Sequence, residues 1–134
     1  MKKVLEVRHL TKRYGQHLAL DNVNLTLEKG EVYGLIGRNG AGKTTLIKVI
    51  TKLTRPSQGS VSLFHSTSKS EWTHALKRVG SVIETPVALN HLNARQNLRY
   101  YCKIHHVPNP DKVIDEILDT VGLGHTGKLS LIHI

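Results

Sequence analysis

Apolar residues in the first part of the chain alternate with polar ones. The run from Val4 to Leu10 predicts a strand, and Val23, Leu25 and Leu27 alternate again before the turn at Lys29-Gly30. These two segments predict an amino-terminal antiparallel β layer. The segment VYGLIG, residues 32 to 37, is a short continuous apolar run of the kind found in a buried central strand. Beyond Gly42 the period changes. Leu46, Ile47, Val49, Ile50 and Leu53 fall on one face at helical spacing, and Arg55-Pro56 closes the element.

A turn through Pro56-Ser57-Gln58-Gly59 leads to a predicted strand from Ser60 to Phe64, followed by the polar loop HSTSKS. Trp72, Ala75, Leu76 and Val79 suit a short helix, with Trp72 as a packing residue. Gly80 to Ile83 reads as another strand, ending at Glu84-Thr85-Pro86. Asn93 and Gln96 have the spacing of a capping box, after which Leu98, Tyr101 and Cys102 supply an inward face. A last helix opens at Asn109-Pro110, carries Val113, Ile114, Ile117, Leu118 and Val121 as its apolar stripe, and stops at Gly122. Strands alternating with helices predict a three-layer α/β fold with a mainly parallel sheet.

Bulk composition changes this picture little. With 134 residues, 39% of them hydrophobic, the chain is long enough for one domain with a core of its own. It holds no run of about 18 apolar residues that would span a bilayer, and its start, MKKVLEVRHL, lacks the long apolar region of a secretory signal. The single cysteine, Cys102, excludes an internal disulfide and fits a buried helix position. The net charge of +9 is unusual, but the basic residues are scattered and aromatics make up only 4%, so nucleic acid is not the expected partner. A polyphosphate ligand or an acidic partner accounts for the charge more simply. Nine histidines are present, yet His9, His17, His65, His74, His91 and His105-His106 show no zinc-site spacing.

The chemical signal is GRNGAGKTT, Gly37 to Thr45, which satisfies G-x-x-x-x-G-K-[ST] directly after a predicted strand and at the start of a predicted helix. Glycines at 37, 40 and 42 let the loop close around phosphate with its N–H groups turned inward, and the positive end of the helix favours the anion. Lys43 is expected to reach the β and γ phosphates, and the Thr44 hydroxyl to ligate Mg²⁺. Arg38 reads either as a solvent-facing loop residue or as a further phosphate contact. The loop alone does not choose between transporter ATPases, kinases and GTPases.

The surrounding residues do. KRYG followed by ALDNVNLTLEKGEVYGLIGRNGAGKTTLIKVITKLTRPSQGSV resembles the ATP-binding proteins of ABC transporters, above all the bacterial group for export of, or immunity to, peptide antibiotics such as bacitracin and lantibiotics. The resemblance covers residues 1 to 128 and implies a P-loop NTPase three-layer fold with an amino-terminal antiparallel β layer. It implies ATP and Mg²⁺ as cofactors, with Tyr14, Gly37, Asn39, Gly40, Gly42, Lys43, Thr44 and Thr45 at the nucleotide. Tyr14 takes the place of the ring that stacks on adenine. Glu84, in VIETP, stands where most members have the glutamine that senses Mg²⁺ and the attacking water; with Lys43 it forms the implied catalytic pair, and with Thr44 the implied metal pair. A carboxylate can still hold Mg²⁺, but it lacks the amide donor of glutamine.

A full-length member of this family is an ABC-type ATPase. Its signature loop, acidic strand, catalytic glutamate and switch histidine are not found in these 134 residues. His133 does not stand in for the switch. The final residues LSLIHI, 129 to 134, depart from the family pattern and coincide with a translated transposon adapter end, so the native reading is expected to stop near Lys128. The implied partners are a separately encoded transmembrane permease and a second ATP-binding subunit, with the protein in the cytoplasm at the inner face of the bacterial membrane. The alternative is a nucleotide-binding chain that does not hydrolyse ATP.

Overall fold

A computed structural model describes residues 2–66, 68–84 and 88–124. The chain divides into two compact units, Met1–Thr85 and Pro86–Ile134.

In the first unit, β1 (Lys3–Tyr14) and β2 (His17–Glu28) form a long antiparallel hairpin, and β3 (Gln58–Leu63) joins the other edge of β1, giving the order β2-β1-β3. The inward side chains of β1 are Leu5, Val7 and Leu10. The spacing lengthens from two to three because the chain bulges at Arg8-His9, where His9 adopts φ 49° and the register shifts on both sides of the strand. That extra residue returns Leu10 to the core face. Asn24 Oδ1 accepts from the His9 N–H at 2.9 Å, which gives the bulged backbone a partner. Gly59 is the matching requirement on β3: its φ is +82°, and a Cβ there would lie 2.3 Å from the His9 carbonyl oxygen.

The helix α1 (Lys43–Ile50) lays Leu46 and Val49 on this sheet, and α2 (Lys69–Leu76) adds Trp72 and Ala75 to the same core. Trp72 is thus the packing residue expected. The second helix starts earlier than its apolar residues suggested, because Ser68 and Glu71 form a reciprocal capping box. Leu53 differs from expectation: α1 ends at Ile50, Lys52 turns the chain at φ 60°, and Leu53 is exposed beyond the turn.

The two predicted central strands, 32–37 and 80–83, are not strands among the described residues. The only sheet there is antiparallel, and Val32 and Ile36 are 100% and 96% exposed. An apolar run marks the potential for a central strand, but a strand exists only when neighbours complete its hydrogen-bond ladder.

The second unit pairs α3 (Ala94–Ile104) with α4 (Pro110–Thr120) around Cys102, Ile114 and Leu118. Asn93 and Gln96 form the expected capping box. The inward polar residue is one the periodicity passed over: Asn97 is buried, while Tyr101 stays half exposed in edge contact with Tyr100. Asn97 Nδ2 donates to the carbonyls of Leu89, Leu92 and Asn93, each at 3.1 Å, and its Oδ1 accepts from the Leu89 N–H at 2.8 Å. Arg95 pairs with Asp115 at 2.5 Å and Arg99 with Asp111, both across the helix pair. Asn109 precedes Pro110 as predicted but sits at φ 50° and caps no N–H with its side chain. Gly122, at φ +74°, ends α4, with the Leu123 N–H returning to the Leu118 carbonyl at 2.7 Å. The expected tail, 129 to 134, lies outside the described residues.

Candidate nucleotide-binding site

The loop before α1 is shaped by one close approach. Gly42 is the N-cap residue of α1, with φ +86°, and a Cβ on it would meet the Ala19 carbonyl oxygen at 2.3 Å and Leu20 Cδ2 at 2.9 Å. Only glycine permits this conformation and this contact together, so Gly42 sets the start of α1 directly against β2. The first-turn N–H groups of α1 have no acceptor within the helix and carry the positive end of its dipole.

Lys43 opens the helix and folds back over the loop. Its Nζ donates to the Gly37 carbonyl at 2.5 Å and to the Arg38 carbonyl at 2.7 Å. Ala41 N–H donates to the same Arg38 carbonyl at 3.1 Å, closing the turn. The ammonium is therefore held at the loop's mouth by neutral acceptors.

A pocket of about 310 Å³ lies between this loop and the end of the β1–β2 hairpin. Asn39, Gly40, Gly42, Lys43, Thr44 and Thr45 line it from the loop side, and Tyr14, His17 and Ala19 from the hairpin side. Residues separated by some thirty positions thus meet because β2 runs beside α1. The Tyr14 ring is half exposed at the rim, with Lys12 Nζ 4.7 Å from its centroid.

Three candidates stand apart from this pocket. Gly37 belongs to the loop without lining the pocket, as does Arg38, whose carbonyl rather than guanidinium is engaged. Glu84 does not line it either. Its backbone is at φ 64° and its carboxylate pairs with Lys48 Nζ on α1 at 3.0 Å. With both partners substantially exposed, that pair contributes about 0–1 kcal/mol. Conversely, His17 and Ala19 were not singled out from the sequence. The signal for them was the hairpin itself: Tyr14 pairs with His17 across the turn, so a ligand beside one reaches the other.

Among the described residues no group of three His, Cys, Asp or Glu side chains is placed to hold a metal ion, and no helix is long and apolar enough to cross a membrane.

Comparison with known proteins places this site in context. Residues 20–132 match the ABC transporter family. The chain is 37% identical over 136 residues to the bacitracin transport ATP-binding protein BcrA of Bacillus licheniformis, covering 98% of this chain and 44% of that protein. It is 39% identical over 123 residues to BcrA of Enterococcus faecalis, covering 92% and 40%. The lantibiotic transport ATP-binding protein SrtF of Streptococcus pyogenes is 37% identical over 126 residues, covering 93% and 52%. The chain thus spans about half the length of these relatives. Among solved structures, an ATP-binding subunit of an ABC transporter superposes with a TM-score of 0.83 at 26% identity, over 98% of this chain and 55% of that one. An ATP-binding cassette solved as a dimer in a post-hydrolysis state with ADP and Pi gives a TM-score of 0.77 at 22% identity, over 97% and 62%, which bears on the fold alone. The α/β fold with its amino-terminal antiparallel sheet and helical part is that of the ABC ATPases, and the chain belongs to the ABC transporter ATP-binding family.

Proposed function

We propose that this chain binds Mg-ATP between the Gly37–Thr45 loop and the β1–β2 hairpin, as the nucleotide-holding part of a transporter ATPase. The observation that carries the reading is convergence: Lys43, Thr44 and Thr45 share one pocket with Tyr14, which is distant in sequence. The residues fit the ligand. The Lys43 ammonium is tied only to carbonyls, which a phosphate oxygen outcompetes because its bond to the cation is charge-assisted. The first-turn N–H groups of α1 face an anion favourably. Thr44 supplies the hydroxyl for Mg²⁺, Thr45 a second hydroxyl, and the Tyr14 ring a surface for adenine. Bound Mg²⁺ would offset charge on the β and γ phosphates.

In a protein of the relatives' full length we assign Lys43 and Glu84 to the hydrolytic step, Lys43 stabilising phosphate charge and Glu84 accepting a hydrogen bond from water or holding Mg²⁺ through oxygen. In this structure the Glu84 carboxylate is paired with Lys48 Nζ, an exposed contact that a competing role can displace. The similarity to bacitracin and lantibiotic transport proteins supports coupling of ATP turnover to export or clearance of a peptide antibiotic. That reading includes a membrane permease, a second ATP-binding subunit, and a place at the inner face of the cell membrane.

Calorimetric titration of the chain with Mg-ATP tests the first step. Saturable binding should weaken at least about tenfold in Lys43→Ala, since a charge-assisted contact is lost; unchanged affinity refutes the site. Substrate is tested by expressing the gene that encodes this chain together with a candidate permease and measuring survival in bacitracin. Protection that persists in Lys43→Ala would sink the coupling.

A further inference from the structure

At the opposite end of α1 from the nucleotide pocket lies a second cavity, of about 430 Å³, within the size range of small-molecule sites. Its apolar lining includes Val49, Val61 and Trp72, and its cationic lining is Lys52, Arg55 and Lys69. None of these six residues lines the nucleotide pocket.

The three cations come from separate places in the fold: Lys52 from the turn after α1, Arg55 from the loop before β3, and Lys69 from the first position of α2. No acidic side chain lines the cavity, and among the described residues none of the three is in an ion pair with a carboxylate. The three cations are exposed around the rim, so an anion entering the cavity meets three positive charges and no negative one. Lys52 is held in place by the floor itself, with Nζ 4.5 Å from the centre of the Trp72 ring.

The floor of the cavity is buried. Trp72 is 7% exposed, and its Nε1–H has no hydrogen-bond partner among the described residues. An oxygen-bearing anion would bring the negative charge that the rim lacks, while this N–H, closed to solvent, lies out of its reach.

We infer that this cavity is a binding site for a small amphipathic organic anion, its carboxylate or phosphate head among Lys52, Arg55 and Lys69 and its hydrocarbon body on Val49, Val61 and Trp72. The site is independent of the nucleotide reading and stands whether or not Mg-ATP binds at Lys43.

The chain has one tryptophan, so a ¹⁵N-labelled sample gives one indole N–H resonance to follow. The probe is octanoate, with acetate supplying the head alone and 1-hexanol the body alone. Octanoate should shift the indole resonance saturably, and acetate at least about tenfold more weakly, because it lacks the methylenes that the floor buries. Hexanol should also be weaker. Lys52→Gln and Arg55→Gln, both exposed changes whose remaining spectra report an intact fold, should each weaken octanoate about threefold. Lys43→Ala should leave it unchanged. A shift that never saturates, an equal response to hexanol, or equal midpoints in the glutamine variants would overturn the inference. So would competition by Mg-ATP, or an acidic peptide that moves the resonance when octanoate does not.

Discussion

Replacing Gly42 by alanine probes the contact that sets the start of α1 against β2. The new Cβ would enter at 2.3 Å from the Ala19 carbonyl oxygen, a backbone atom that cannot rotate aside. Two costs follow. Holding an L-residue in the left-handed region costs about 1–2 kcal/mol, and forcing extra volume into a packed contact adds about 1–3 kcal/mol. Their sum, about 2–5 kcal/mol, is a large share of the roughly 5–15 kcal/mol that stabilises a domain. The matched control is Gly40→Ala, because Gly40 has nearly the same φ, +84°, with nothing within 4 Å of its Cβ position. That variant should lose only the conformational part, about 1–2 kcal/mol. Urea unfolding followed by Trp72 emission reads both, since the single tryptophan lies in the same unit as the two glycines. Gly42→Ala should unfold at clearly lower urea than Gly40→Ala, with parallel slopes. Coincident midpoints for the two variants would refute the argument that contact with β2, rather than backbone preference alone, demands glycine at 42.

Other outcomes are expected elsewhere in the chain. Asn97→Ala removes the partner shown for the Leu89 N–H and the Leu92 carbonyl, while the Leu89 and Asn93 carbonyls keep the N–H groups of Leu92 and Asn97, and should cost about 1–3 kcal/mol, read as a lower melting temperature by circular dichroism. Glu6 is held below its ordinary value of 4.5 by hydrogen bonds from Lys3 first and Arg8 second. Its contribution is therefore present above that value and lost as pH falls through the lower folded-state value, so Glu6→Gln should flatten the acid limb of a stability-against-pH curve below about pH 4.5. Val32 and Ile36 are almost wholly exposed apolar residues, so Ile36→Lys should reduce self-association in sedimentation without lowering the urea midpoint; unchanged association would show that this segment is not what sticks.

Much of the local structure was legible because its causes are local. The capping box at Asn93 and Gln96, the proline at the start of α4, and the glycine that ends it each act within a few residues of sequence. The start of α1 is of the same kind, following the Gly37–Thr45 loop with its glycines, lysine and threonines in fixed spacing. Where periodicity misled, a term other than the apolar pattern had won. Leu53 continued the apolar stripe but lies past a left-handed turn at Lys52, and Asn97 is buried because the backbone around Leu89 and Leu92 needs its amide. Residues 32–37 carry the composition of a central strand, yet no ladder among the described residues pairs them.

The sequence by itself determined the family, the hairpin-forming alternation, and the chemistry offered to a polyphosphate, since each depends on residue type at short spacing. Only the tertiary structure decided that His17 and Ala19 line the same pocket as Tyr14 and Lys43, that Gly42 must be glycine because a carbonyl of β2 lies against it, and that Lys52, Arg55 and Lys69 gather around one indole. Those are facts about which distant segments pack together. Packing is fixed by strand register, a bulge at His9 and the burial of a shared core, and none of these is encoded at the positions they bring into contact.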